Sequence, residues 1–121
     1  MSVDRSQINA EMQRTAFQKK AVVKLTPIET LAFCKAYLNE RGYKAGPAAR
    51  PGQIFVLGKS EGIIPRVTGE IAARANVGKA GTTLVTVDGF GELLGPALRE
   101  LLVALRAESK AKVAAASARE S

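Results

Sequence analysis

The sequence predicts an α+β protein in two layers, a curved antiparallel sheet with two helices on one face, in the order β-α-β-β-β-β-α. A length of 121 residues corresponds to one domain. Two segments with apolar residues at helical spacing flank a stretch of short apolar runs separated by Gly and Pro. We expect a segment at residues 1–16 that is mobile or only locally helical, a single domain at residues 17–113 and a frayed tail at residues 114–121.

The first two predicted elements are a strand and a helix. A strand over residues 18–25 places the apolar Ala21, Val23 and Leu25 on one side, and Val22 between Lys20 and Lys24 on the other. This is typical of a strand with one covered face. A helix follows because Thr26 can cap it, Pro27 suits its first position and Glu29 occupies the capping-box position. The helix ends at Gly42. Its apolar stripe consists of Ile28, Leu31, Cys34 and Leu38.

From residue 43 the sequence is typical of an antiparallel meander followed by a helix. Four strands are predicted at residues 43–48, 53–58, 65–75 and 82–88. The Gly- and Pro-containing breaks between them are too short for crossover connections. The last helix begins near Gly95 and Pro96 and continues to about Val113. Its apolar stripe consists of Leu94, Leu98, Leu101, Leu102 and Leu105.

The amino-acid composition argues against most kinds of catalytic site. The chain has no His and a single cysteine, Cys34, so the commonest general base and metal ligand is absent and an internal disulfide is excluded. Cys34 is predicted to be a buried helix residue and not a reactive thiol. Glu61, Glu70 and Asp88 are the carboxylates considered for an acid–base pair, but their spacing does not force them together. We predict no catalytic residue, no cofactor, no metal and no enzyme activity.

Two glycine motifs resemble nucleotide-binding loops but depart from their patterns. Residues 58–60 (Gly-Lys-Ser) match the end of a phosphate-binding loop, yet Gln53 stands where that loop has its leading Gly. Residues 89–91 (Gly-Phe-Gly), with Gly95 beyond them, precede a helix as in a dinucleotide-binding turn, but the spacing is one residue too long. We predict a hairpin turn at the first motif and a flexible connection at the second.

The hydropathy pattern predicts no membrane insertion. No run reaches the roughly 18 consecutive apolar residues of a membrane-spanning helix. Residues 1–24 also contain no continuous apolar region of the kind found in signal peptides. We therefore expect a cytoplasmic protein.

Function is predicted from the sheet face that the helices leave uncovered, called the open face below. Residues 54–57 are apolar at every position, so this strand is apolar on both faces, and Leu84 points away from the side of Val85. Apolar side chains on an open face favour burial against a partner. We therefore predict a non-enzymatic interaction module that self-associates, or joins a larger assembly, through Phe55, Leu57 and Leu84.

Three alternatives stay open at the level of sequence. A loop or the N-terminal segment could cover the open face, or the concavity of the sheet could carry a small apolar ligand. The net charge of +7 also suits nucleic acid or another polyanion. In that case Lys20, Lys24, Arg66 and Arg74 would form a basic face. Glu70, in the same predicted strand as Arg74, and the scarcity of exposed stacking aromatics argue against it.

Overall fold

The computed structural model describes residues 4–120 as an open five-stranded antiparallel sheet with three helices. The elements in chain order are α1 (Arg5–Arg14), β1 (Phe17–Val23), α2 (Pro27–Glu40), β2 (Lys44–Pro47), β3 (Gln53–Leu57), β4 (Thr68–Ala75), β5 (Thr83–Gly89) and α3 (Leu94–Glu120). The strands lie in the order β1-β5-β4-β3-β2, with β1 and β2 at the edges. The predicted α+β class and the antiparallel sheet are confirmed.

The predicted element order is correct from β1 onward but lacks α1. Asp4 caps this helix: its Oδ1 accepts from the backbone N–H of Gln7 at 2.9 Å, and Gln7 Oε1 accepts from the backbone N–H of Asp4 at 3.3 Å. This capping box gives residues 5–14 a helical start that their weak apolar pattern does not indicate. The outermost parts of the expected segments 1–16 and 114–121, residues 1–3 and 121, lie outside the described residues.

Helix α2 begins at the predicted cap, where Thr26 Oγ1 accepts from Glu29 N at 3.1 Å. Its buried side differs from the predicted stripe, because Thr30, Cys34 and Leu38 are all 0% exposed whereas Ile28 is 82% exposed. Residues four apart share one side of a helix, and a residue two positions away lies about 200° around it. Ile28 therefore points to solvent, opposite to Thr30.

The core lies between one sheet face and helices α2 and α3. The predicted stripe of α3 is buried, from Leu94 at 0% exposure to Leu102 at 4%. Gly69 and Gly89 are cross-strand partners beneath this helix, and a Cβ on Gly89 would lie 2.8 Å from Leu98 Cδ1. The paired glycines therefore allow α3 to approach the sheet closely.

Helix α3 extends to Glu120, beyond the end predicted near Val113. Residues 111–118 are rich in Ala, the strongest helix former, so the helix continues after its apolar stripe has ended. Residues 110–116 are all exposed, which shows that this part of α3 has left the core. No helix within residues 4–120 is both long and apolar enough to cross a membrane.

Candidate functional site

The open face is the side of the sheet that neither α2 nor α3 covers. Alternation along the four longer strands assigns to it Gln18, Lys20, Val22, Gln53, Phe55, Leu57, Thr68, Glu70, Ala72, Arg74, Leu84, Thr86 and Asp88. All of these residues are half-buried or exposed, whereas the positions between them include the buried core of the sheet. No element of the described chain buries this face. Helix α1 packs with Met12 against the core cluster, and Arg14 and Thr15 attach its end to Glu92 and Gly91 in the segment before α3.

The three predicted contact residues all lie on the open face and are half-buried, but they form two patches. Phe55 and Leu57 are neighbours on β3, and the Phe55 ring lies 3.6 Å from where a Cβ on Gly46 would be. Leu84 lies on β5 between Val22 and Arg74, its partners on β1 and β4. The apolar side chains therefore lie toward two different parts of the face.

A pair of carboxylates lies between the apolar patches. Glu70 on β4 and Asp88 on β5 are directly opposite each other in the antiparallel register. Together with Thr68 and Phe90 they line a shallow cavity of about 230 Å³. Neither forms an ion pair with another described residue, and like charges directly opposite each other on a sheet are destabilising. The pair is therefore a local concentration of negative charge that an approaching cation would stabilise.

The four predicted cations occupy three different places. Lys20 and Arg74 are on the open face. Lys20 is opposite Thr86, two residues along β5 from Asp88. Lys24 follows β1 and lines a groove beside α3, and Arg66 is exposed in the loop before β4. The open-face positions of the four longer strands thus hold two cations and two carboxylates, so the face is of mixed charge.

Glu61 occupies the helix end that sequence reasoning had compared with a dinucleotide-binding turn. Its Oε1 accepts from Leu93 N at 2.8 Å and its Oε2 from Leu94 N at 3.3 Å, at the first N–H groups of α3. Gly91 has φ +128°, and a Cβ there would lie 2.7 Å from Val67 Cγ1 and 2.9 Å from Glu61 Oε2. The position that a phosphate would take is filled by this carboxylate. The sequence presents Glu61 only as an acid–base candidate, because nothing in its sequence neighbourhood indicates a hydrogen bond to Leu93, 32 residues away.

Cys34 lies in the interior of the protein, as predicted for a structural helix residue. It is 0% exposed and is a free thiol. Burial raises the pKa of this thiol to about 12, because the apolar surroundings disfavour the thiolate. The described residues also contain no group of three or more Cys, Asp or Glu side chains arranged to hold a metal ion.

Comparison with known proteins adds one distant structural likeness. No protein-family model matches the chain, and no curated protein matches it in sequence. The crystal structure of DR_A0006 from Deinococcus radiodurans resembles it with a TM-score of 0.45 and 12% sequence identity. The similarity covers 78% of this chain and 96% of that one.

Proposed function

We propose that this protein is a non-enzymatic interaction module that forms a homodimer through the open face of its sheet. The observation that carries the proposal is the composition of the open face. It is uncovered within the described residues, it has apolar side chains in two patches, and between them it has charges of both signs. A surface of this kind can be complementary to a second copy of itself, as a two-fold symmetric interface requires.

Burial of the apolar patches supplies part of the driving force. Phe55, Leu57 and Leu84 are each about half-buried in the single chain. Complete burial of a side chain of this size is worth about 1.5 to 3 kcal/mol relative to full exposure, so covering the remaining area of each contributes at most about 0.5 to 1 kcal/mol. Association costs translational and rotational freedom and also the desolvation of polar groups that end unpaired. The apolar gains exceed this cost only if the charged residues at the interface pair with each other.

The charges are arranged so that they can pair between two copies. Glu70 and Arg74 lie four residues apart on β4, a separation of about 13 Å, with Ala72 midway between them. A two-fold axis that crosses the strands at Ala72 places Arg74 of one copy above Glu70 of the other, and the reverse pair forms at the same time. Stacked sheets lie about 10 Å apart and cross at about 30°, a distance that the long Arg side chain can span. Each pair then brings a cation to the Glu70–Asp88 carboxylates.

A charge-exchange experiment tests this arrangement. Glu70→Arg and Arg74→Glu each place like charges together in the homodimer, so we expect each single variant to associate at least about tenfold more weakly than the natural protein. The double variant exchanges the two charges and should associate again. An equal mixture of the two single variants should form a heterodimer. Analytical ultracentrifugation at tens of micromolar measures all four samples.

A substitution in the apolar patch at Leu84 tests the same interface, and a substitution at Val103 is its matched control. Leu84→Asp should shift the protein to monomer, whereas Val103→Asp should not, because Val103 is 64% exposed on α3, away from the open face. A natural protein that is monomeric at this concentration would contradict the proposal. Dimers that persist in both single charge variants would show that another surface is responsible.

The alternative function, polyanion binding, predicts a different experimental result. A basic polyanion-binding face predicts retention on heparin or DNA that weakens when Arg66 and Arg74 are replaced by Ala. The mixed charge of the open face supports this role less well than self-association.

A non-enzymatic role is supported by the absence of His from the sequence and by the burial of Cys34. The free thiol is also compatible with the reducing environment of the cytoplasm, which we propose as the location.

A further inference from the structure

A groove separate from the centre of the open face lies beside the end of α3. It has a volume of about 540 Å³ and is lined by Val22, Lys24, Lys79, Thr82, Ser109, Lys110, Val113 and Ala114. Pockets of roughly 300 to 1,000 Å³ are typical of small-molecule sites. The groove therefore has room for an organic ligand.

The groove begins at the point where a hydrogen bond between Lys24 and Ser109 holds α3 against the end of β1. Ser109 is 8% exposed, and its Oγ accepts from the backbone N–H of Lys24 at 2.8 Å, which fixes α3 to the end of β1. Beyond Ser109 the helix continues with residues 110–116 exposed. One wall is thus the departing helix, and the opposite wall is formed by the end of β1 and the turn between β4 and β5.

The inner surface of the groove is mostly apolar. Val22 is 51% exposed and Val113 is 37% exposed, and Ala114 lies beside Val113 on the helix. Thr82 Oγ1 donates to the carbonyl oxygen of Lys79 at 2.7 Å, so its polar group already has a partner. An alkyl chain placed here would cover exposed valine surface and displace water from it.

Three cations and no carboxylate line the groove. Each cation lies on a different part of the chain: Lys24 follows β1, Lys79 is in the turn between β4 and β5, and Lys110 is on α3. Among the side chains of residues 4–116, none of the three takes part in an ion pair. A carboxylate accepts charge-assisted hydrogen bonds from lysine ammonium groups. Apolar walls with cations around them are complementary to a molecule that has an alkyl chain and an anionic head.

We propose that this groove binds a single molecule of a fatty carboxylate, with its alkyl chain between Val22 and Val113 and its carboxylate among the three lysines. The groove shares Val22 with the edge of the open face, where Val22 is the partner of Leu84. None of the proposed dimer contacts Phe55, Leu57, Leu84, Glu70 and Arg74 lines it. The ligand is bound as a monomeric amphiphile, not as part of a membrane surface.

Three related probes test the chemistry of the ligand. Octanoate should bind saturably with one molecule per chain in a calorimetric titration. Acetate, which lacks the chain, should show no binding, and 1-octanol, which lacks the charge, should bind at least about tenfold more weakly. Equal binding of octanol and octanoate would overturn the role of the lysines. Binding to phosphatidylglycerol vesicles without binding of octanoate would show that the surface recognises a membrane instead.

Matched variants test the location of the site. The double variant Lys24→Gln, Lys110→Gln should weaken octanoate binding about tenfold or more. Lys35→Gln, Lys59→Gln removes the same charge from exposed positions outside the groove and should leave the affinity unchanged. Val113→Asp should abolish binding, whereas Val103→Asp should preserve it. Equal losses in the groove variants and their controls would overturn the proposal.

The two proposals can fail independently. Octanoate binding should persist in the Arg74→Glu variant, whose dimer contact is disrupted. Nuclear magnetic resonance shifts caused by octanoate should centre on Ser109, Lys110 and Val113. Shifts centred on Phe55 and Leu57 would instead place the ligand on the open face and overturn the assignment to the groove.

Discussion

The carboxylate of Glu61 lies at the first N–H groups of α3, where its two oxygens accept from Leu93 and Leu94. A negative charge at this end of a helix satisfies donors that have no partner within the helix and interacts favourably with its dipole. Glu61 itself is half-buried, in the loop between β3 and β4. One side chain therefore joins that loop to the helix that covers the core.

Removal of this carboxylate should destabilise the fold. We expect Glu61→Ala to lower the free energy of unfolding by about 1 to 2 kcal/mol, because the helix loses its cap and the favourable charge at its N-terminus. Urea denaturation followed by circular dichroism measures the change. Glu108→Ala, at an exposed position within α3, is the control and should cost much less. Equal losses in the two variants would show that the contact seen here does not stabilise the helix.

Cys34 provides a second prediction at the level of one residue. Burial raises the pKa of its thiol to about 12, so almost none is thiolate at pH 8. Ellman's reagent should therefore react with the native protein only through unfolding or local opening, and with the urea-unfolded protein within seconds to minutes. Rapid stoichiometric reaction of the native protein would show that the α2 interface opens more easily than its packing suggests.

At the scale of elements, Glu29 connects two helices that the sequence treats separately. It caps α2 together with Thr26, and it also accepts a hydrogen bond from the ammonium group of Lys112 on α3. The hydrogen bond from Lys112, followed by the bonds to Thr26, lowers the pKa of Glu29 to about 2. The pairing of α2 with α3 therefore depends in part on the ionisation of this carboxyl.

The pKa of Glu29 predicts how its contribution changes with pH. A carboxyl whose pKa is about 2 in the folded state and 4.5 in the unfolded reference contributes stability that is fully present above pH 4.5 and is lost as the pH falls toward 2. Glu29→Gln keeps a side-chain acceptor for Thr26 but removes the charge. Its stability deficit should be largest above pH 5 and should vanish near pH 2 in urea titrations. A deficit independent of pH would contradict the ionic contribution.

The sequence predicted the strands and the two long helices well because each of them carries a local signal. Short apolar or alternating runs between Gly- and Pro-containing breaks indicate the strands. Thr26, Pro27 and Glu29 indicate the start of α2, and a leucine stripe indicates α3. Helix α1 was missed because its signal is a single capping turn, and no residue of the helix is buried. Two contacts attach α1 to distant parts of the chain, a hydrogen bond from Gly91 N to Thr15 and an ion pair between Arg14 and Glu92. No local sequence pattern relates these residues.

The proposed contact surface, the open face, could be predicted from the sequence only in part, because the facing of each side chain depends on strand register. Residues 54–57 are all apolar, so the sequence indicates apolar side chains on both faces of β3 but does not show that Phe55 and Leu57 are the pair on the open face. The pairing of Glu70 with Asp88 depends on the register of β4 and β5, and a change of one residue would reverse every side chain. The turn between these strands contains several Gly and small residues, so the sequence does not fix its centre. The spacing of Glu70 and Asp88 in the sequence therefore does not predict that they lie opposite each other.

At the scale of the whole molecule, the two proposed sites predict different dependences of stability on concentration. A dimer is favoured by mass action, so its apparent stability per chain should rise by about 0.7 kcal/mol for each tenfold increase in protein concentration. A ligand in the α3 groove stabilises each chain by an amount set by free ligand alone. Thermal unfolding of the natural protein should therefore shift upward with protein concentration, and octanoate should raise the midpoint further.

The Arg74→Glu variant separates the two effects. Its midpoint should no longer depend on protein concentration, because the pair between Arg74 and the second copy's Glu70 is replaced by repulsion. Octanoate should still raise its midpoint, because the groove between β1 and the end of α3 is intact, and Lys24→Gln, Lys110→Gln should remove that increase. A concentration dependence that survives in Arg74→Glu would exclude this dimer. An increase with octanoate that survives loss of both lysines would exclude the groove as its origin.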